Sequence, residues 1–489
     1  MYPRIVLLAL LFGMILNVSA QGPAMNISSP VEVADGTVYG SIKPQIALAN
    51  GNPLVLFGEG GSTPNVYISR WNGTGFTTPM IVNPSGMTPW VSTSDGPVIA
   101  TSGDTVFVAY IESISTRPKI YIQRSLDGGA TFGDTVRVDQ LQNNNLEFIS
   151  LAVGPAGNPS ISFIKTDLSW ANPEQVVVVS TDGGQTFTPE VNASSMAPGV
   201  PCECCPSSMV IEGNKEVLVF RNNDNNTRDV YASISNDGGN TFTSMVDIDF
   251  ANWYVNYCPS SGPVNLISGD TLLAVWMTEA QGGMARINIG SLDLPTLQVG
   301  VNVEVDNNVA ANVAQNYPDL AGSNDTLGVV WQDNRFSVTE YFLSVSVDGT
   351  SGFKQAMSLS DTISGMQRLP QIEYDNGVFH IVYQDYSANR VMYLTATLTG
   401  GFNGVNEEVK QFEMSLSPNP VIAESIVQIN RSTNEPLHLN VHDQLGRLVQ
   451  NYPNVIGQQV VIKKGSLKKG VYFLSIEGNT EQPLKFVVN

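Results

Sequence analysis

Short apolar runs, separated by gaps rich in Gly, Asn, Asp and Ser, recur along most of this chain. The strongest are Leu54-Val-Leu-Phe57, Val106-Phe-Val-Ala-Tyr110, Ile161-Ser-Phe-Ile164, Val217-Leu-Val-Phe220, Leu272-Leu-Ala-Val-Trp276, Leu327-Gly-Val-Val-Trp331 and Phe379-His-Ile-Val-Tyr383. Their length and their β-branched and aromatic content predict strands. A β-rich segment precedes each run and opens at a proline or similar entry residue: Pro44, Pro97, Phe148, Pro206, Pro263, Pro318 and Pro370, spaced between 50 and 59 residues apart. A third and a fourth strand follow in each unit, so the pattern predicts seven antiparallel units of four strands in an all-β fold. The seventh unit keeps only three strands, ending near Leu398. An orphan strand at Ile27-Ser-Ser-Pro-Val-Glu-Val33 is expected to complete it and to remove an exposed sheet edge.

One turn is repeated between third and fourth strands. It reads Ser125-Leu-Asp127-Gly-Gly129-Ala-Thr-Phe132, Ser180-Thr-Asp182-Gly-Gly184-Gln-Thr-Phe187 and Ser235-Asn-Asp237-Gly-Gly239-Asn-Thr-Phe242, with serines 55 residues apart both times. A looser copy, Ser346-Val-Asp348-Gly-Thr-Ser-Gly-Phe353, follows two periods later. Asp and Gly-Gly supply a side-chain-capped turn with positive φ, and the closing Phe pins it to the core. The motif resembles the Asp-box, or BNR repeat, of sialidase-like β-propellers. That resemblance implies a propeller over residues 21–410, with seven blades expected and six, the sialidase number, as the alternative. It gives Asp127, Asp182, Asp237 and Asp348 a structural role, on the face away from any site.

Residues 1–20 read as a secretory signal peptide: Arg4, the apolar run Ile5 to Leu16, then the small-residue site Val18-Ser-Ala20. That run is too short to be a membrane span, and no other segment qualifies. Export through the inner membrane is therefore expected, followed by secretion or anchoring at the outer cell surface. Charge is uneven. Residues 21–413 carry 16 Lys and Arg against 39 Asp and Glu, a net of −23, whereas residues 414–489 carry 7 against 5, a net of +2. An acidic body argues against nucleic acid and anionic membrane as partners, and the shift near 413 marks a domain boundary. Beyond it, Leu416-Ser-Pro-Asn-Pro420, Val441-His-Asp-Gln-Leu-Gly-Arg447, Gly470-Val-Tyr-Phe-Leu-Ser-Ile476 and Lys485-Phe-Val-Val-Asn489 occur in order. They resemble the C-terminal sorting domain of the type IX secretion system of Bacteroidetes. The resemblance implies that residues 411–489 form a small β-sandwich that engages that machinery.

Candidate chemistry belongs to the loops between second and third strands, which share one end of the propeller with the entries to the first strands. The catalytic candidates are Asp333, Arg335, Asp385 and Tyr386, with Tyr254 a further candidate nucleophile, since paired acids can protonate a glycosidic oxygen. Arg221, Asp224, Arg228, Arg368 and Arg390 are candidate ligand-binding residues, because guanidinium bonds carboxylates bidentately. Arg-Ile-Pro, which sialidases carry at the first blade, is replaced here by Ile42-Lys-Pro44. Recognition of a glycan or another surface ligand is thus the first expectation, and a sialidase-type exo-glycosidase acting on acidic sugars the second.

All four cysteines, Cys202, Cys204, Cys205 and Cys258, precede the first strands of adjacent units. The Cys-x-Cys-Cys-Pro element resembles one in a group of exported BNR-repeat proteins. Export favours disulfides, with the pairing open; a thiolate site for copper(I) or zinc is the alternative. No cofactor is otherwise required, and three histidines exclude a His-rich zinc site.

Overall fold

The computed structural model describes residues 25–112, 118–353, 356–359, 365–399, 413–430, 437–444, 447–476 and 484–489. The signal peptide expected at 1–20 and the boundary expected at 410/411 lie outside them. The chain divides into two compact units, one within residues 1–400 and one within 401–489. Among the described residues both are almost entirely β, in nine small antiparallel sheets.

Seven sheets belong to the first unit. Sheet 1 runs Ile42–Ala49, Asn52–Gly58, Val66–Arg70 and Met80–Ile81, each strand paired with the next. Sheets 2 to 6 repeat this meander, with first strands Val98–Ser102, Asn145–Val153, Ser208–Glu212, Val264–Ser268 and Gln315–Ser323. Sheet 7 takes three strands from Gln367–Asp375, Val378–Asp385 and Arg390–Leu398. Its fourth edge is filled from the N-terminal side: Met25–Ile27 pairs with Ala396–Leu398, and Val31–Asp35 with Arg390–Tyr393. The first strand of each sheet lies against that of the next, and that of sheet 7 lies against that of sheet 1.

Alternation along the second strands explains this stacking. In sheet 5, Leu273, Val275 and Met277 join the core shared with sheet 6, while Leu272, Ala274 and Trp276 join the core shared with sheet 4. Sheet 2 divides Phe107, Ala109 and Ile111 from Val106, Val108 and Tyr110 in the same way. Uniformly apolar runs are what a strand buried on both faces requires. Room is tight: a Cβ on Gly290 would stand 2.5 Å from the Trp276 ring.

The repeated turns are held by their own side chains. Asp127, Asp182 and Asp237 each accept the hydroxyl of the preceding Ser at 2.7–2.8 Å, and the amide and hydroxyl of the following Thr at 2.6–2.9 Å. Those bonds, chiefly from Ser125 in one turn and from Thr186 and Thr241 in the others, hold the carboxyls below the usual range. Both glycines of each turn have positive φ. Near Asp348 the turn is looser, with Asp348 N donating to Ser346 Oγ at 3.1 Å. Sheet 5 turns instead on Asp293, whose carboxylate accepts Thr296 N at 2.9 Å.

In the second unit, Glu413–Ser417, Glu424–Asn430 and Gln459–Lys463 form one sheet; Leu448–Val455, Leu437–Asp443, Gly470–Ile476 and Leu484–Val488 form another. Val427 and Ile462 of the first share a core with Leu439, Val441, Leu474 and Phe486 of the second.

Trp276 is fully buried. Trp276→Ala should destabilise the first unit by about 3–5 kcal/mol, the range for deleting a large core aromatic, read from the urea midpoint of its unfolding transition.

Candidate functional site

Antiparallel order sends the connections between second and third strands, and from each fourth strand to the next first strand, to one end of the first unit. Among the described residues of that unit, all seven exposed Trp, Phe and Tyr side chains lie in these connections: Trp90, Trp170, Phe250, Tyr254, Tyr257, Phe336 and Tyr386. The repeated turns occupy the other end.

Between the seven first strands lies a cavity of about 310 Å³, to which every one of the seven contributes. Its charged lining is Lys43, Asp319 and Glu373. Burial pushes Asp319 up to about 7 and Glu373 up to about 8, with Asp319 adding to the rise at Glu373. Asp95 is also raised by burial, and its neighbour Lys43 is lowered by burial. These inward carboxyls were hidden in the sequence, because a polar residue alternating with apolar ones in a strand reads as solvent-facing.

Of the proposed catalytic residues, Asp333 and Arg335 form an ion pair. Arg335 Nε bonds both Asp333 oxygens at 3.1 and 2.9 Å, its Nη2 reaches Asp306 at 2.8 Å, and its guanidinium lies over Phe342. Asp385 is buried and accepts Ala388 N at 2.9 Å, as a turn cap. Tyr386 is half exposed and lies under the Arg368 guanidinium at 3.8 Å; Arg368 Nε also donates to Gln384 at 2.9 Å. Arg390 pairs with Glu32 at 3.0 Å. Asp385, Tyr386, Arg368 and Arg390 thus share sheet 7, while Asp333 and Arg335 belong to sheet 6.

A second group surrounds the cysteines. Arg221 is 1 % exposed and donates to the carbonyls of Arg228 and Met277 at 2.7 and 2.6 Å, beside the Trp253 ring. Its guanidinium is a structural strut turned away from solvent. Arg228 is buried too, and its Nη1 donates to Cys202 Sγ at 3.0 Å. Asp224 stands in a tight turn, exchanging backbone bonds with Thr227. Asp229 caps the next loop by accepting Asn252 N and Trp253 N at 3.1 and 2.9 Å. That loop presents Tyr254 and Tyr257, which with Glu279 line an open groove. Tyr257 donates to Glu279 at 2.5 Å. The Tyr257–Glu279 pair escaped sequence reasoning, since nothing in the spacing links positions 257 and 279.

Cys204 and Cys258 form a disulfide that ties the loop before sheet 4 to the loop before sheet 5. Cys202 and Cys205 are free and buried. The sulfurs of Cys202, Cys204 and Cys205 lie within 4.8 Å of one another, close enough to share a metal ion. While Cys204 is bonded to Cys258, two thiols remain for that role, and the Arg228 cation stands against one of them. The Cys202 thiol is pulled down to about 7, first by its hydrogen bond with Cys205, against desolvation; burial pushes Cys205 up.

Residues 415–489 match the family model of the secretion system C-terminal sorting domain. A search of curated proteins finds no match. Among solved structures, a protein of unknown function from Dyadobacter fermentans is 12 % identical, spans 77 % of this chain and all of its own, and has a TM-score of 0.46. An α-L-arabinofuranosidase from Fusarium graminearum is 12 % identical over 64 % of this chain and 95 % of its own, with a TM-score of 0.40. An α-L-arabinanase from Penicillium chrysogenum is 10 % identical over 52 % and 93 %, at 0.34. Among the described residues no helix is long and apolar enough to cross a membrane.

The cavity carboxyls give a pH signature. Glu373 ionises above its ordinary value of 4.5 only when folded. Its contribution is therefore fully present below that value and is lost as pH rises to about 8. Glu373→Gln, which cannot ionise, should match the native protein's urea midpoint near pH 4 and exceed it increasingly toward pH 8.

Proposed function

We propose that residues 21–410 form a seven-bladed, sialidase-like β-propeller whose aromatic end recognises a glycan on or near the cell surface. In this reading the turns at Asp127, Asp182, Asp237 and Asp348 are Asp-boxes, and the pairing of Met25–Ile27 with Ala396–Leu398 is the ring's closure. Residues 1–20 direct export, and residues 411–489 hand the chain to the type IX machinery, in keeping with the sorting-domain match.

The observation that carries the ligand class is the one-sided distribution of exposed aromatics. Tyr and Trp offer an apolar face with a polar rim, which suits the apolar face and hydroxyl edge of a sugar ring. The groove of Tyr254, Tyr257 and Glu279 supplies stacking surface beside a carboxylate that can accept hydroxyls. Three of the candidate arginines for an acidic sugar are engaged elsewhere: Arg221 with carbonyls, Arg335 with Asp333 and Asp306, Arg390 with Glu32. A neutral glycan fits this arrangement better than an acidic one.

Hydrolysis is the second reading, favoured by one observation: Arg368 and Tyr386 stack beside Asp385 at the same end. Asp333, Arg335, Asp385 and Tyr386 would then carry the chemistry of an exo-glycosidase.

Glycan-array binding followed by titration calorimetry separates the two. The expected result is saturable binding of neutral glycans without release of sugar, weakened roughly tenfold in Tyr254→Ala, as for loss of one aromatic anchor. Turnover of a fluorogenic sialoside that disappears in Tyr386→Phe would replace this reading with the hydrolytic one.

A further inference from the structure

The four sulfurs form an unbroken series from surface to interior. Cys258 is exposed and disulfide-bonded to half-buried Cys204. Cys204 Sγ lies 3.5 Å from Cys202 Sγ, and Cys202 Sγ lies 2.6 Å from Cys205 Sγ. That last distance falls between a covalent S–S bond of about 2.05 Å and ordinary non-bonded contact. A backbone turn holds the pair, with Cys205 N donating to Cys202 O at 3.3 Å. At 0 % and 1 % exposure neither thiol can meet an external oxidant directly.

We propose that Cys202 and Cys205 close a second disulfide and that they receive it from Cys204–Cys258 by exchange through the Cys202–Cys204 contact. The reading stands apart from glycan recognition. In the first step the Cys202 thiolate attacks Cys204 Sγ; the Cys204–Cys258 bond breaks, and its electron pair leaves on Cys258, which takes up the proton that Cys202 lost. In the second, the Cys205 thiolate attacks Cys202 Sγ and expels Cys204, which takes the proton from Cys205. The disulfide has moved inward with no net oxidation. The exposed Cys204–Cys258 dithiol then gives two electrons and two protons to an external disulfide of the oxidised-glutathione type, which departs as two thiols. The native end state holds two disulfides.

Arg228 supports this chemistry and opposes a metal. Its Nη1 points at Cys202 Sγ from 3.0 Å, where it stabilises a thiolate during exchange and would repel a bound cation. An oxidising location, required by the exposed disulfide already present, supplies the oxidant.

The test is non-reducing peptide mapping of the full chain, denatured and alkylated in one step. Cleavage after Glu203 separates Cys202 from Cys204 and Cys205, and fragmentation of the linked peptides between Cys204 and Cys205 then assigns each bond. The expected map shows no alkylated cysteine and the pairs Cys202–Cys205 and Cys204–Cys258. In Cys205→Ser the exchange should stall halfway, leaving a measurable share of molecules with Cys202 linked to Cys204 and Cys258 alkylated. Alkylated Cys202 and Cys205 in the native protein, with or without stoichiometric zinc or copper, would overturn the second disulfide. A Cys205→Ser map holding only Cys204–Cys258 would overturn the exchange route.

Discussion

One strand edge governs the first unit. Arg390–Leu398 would end the last sheet with a row of unpaired backbone groups, and among the described residues no later strand joins that sheet. Met25–Ile27 and Val31–Asp35 supply the missing partners from the far end of the sequence. Ser28 reinforces the seam, donating its amide to Thr395 O and accepting Thr395 N on its hydroxyl, both at 2.9 Å. Joining segments that far apart costs loop-closure entropy only once, and that cost grows slowly with length. In return every second strand can bury both faces between neighbouring sheets. A sheet left open at this seam would present an edge for pairing with other chains.

The architecture was legible because both of its determinants are local. A fully apolar second strand and a Ser-x-Asp-Gly-Gly turn each announce themselves within ten residues, and their period counts the sheets. Sheet 5 shows the limit of the turn signal: it lacks the motif, yet Asp293 and Thr296 make an equivalent side-chain-capped turn with different letters. The candidate site was less legible, for a reason that Arg221 illustrates. An Arg at a strand end has five donors, and the sequence does not say whether they face a ligand or backbone carbonyls. Here two of them bond Arg228 O and Met277 O. Arg335 is similar, since the nearby Asp333 could be read from the sequence but the distant Asp306 could not.

The two ends of the first unit solve different problems. At the end with the repeated turns, each tight connection satisfies its own donors with an Asp carboxylate and needs little help from elsewhere. At the other end the loops are long, and they are fixed by contacts between loops: the Cys204–Cys258 bond, Asp229 on the Trp253 amide, Arg221 across to Met277 O. Tyr254 and Tyr257 sit between two such anchors. On the proposed reading, an aromatic held in place in advance would lose less freedom when a ligand binds, so that a polar, shallow surface could gain affinity without burying much area.

Charge then decides what such a surface can take. The cavity beneath it carries Asp319 and Glu373 against Lys43 alone, and the surrounding chain from 21 to 413 is strongly negative. A carboxylated sugar approaching that end would meet repulsion at long range and, at contact, few guanidiniums not already bound. On the proposed reading, neutral hydroxyls face neither cost. Burial raises Glu373 to about 8, so this carboxyl takes up negative charge only as the pH climbs toward that value. By family likeness the Asp-turn motif favours acidic sugars; the proposed reading sets the disposition of charge around the cavity against that likeness.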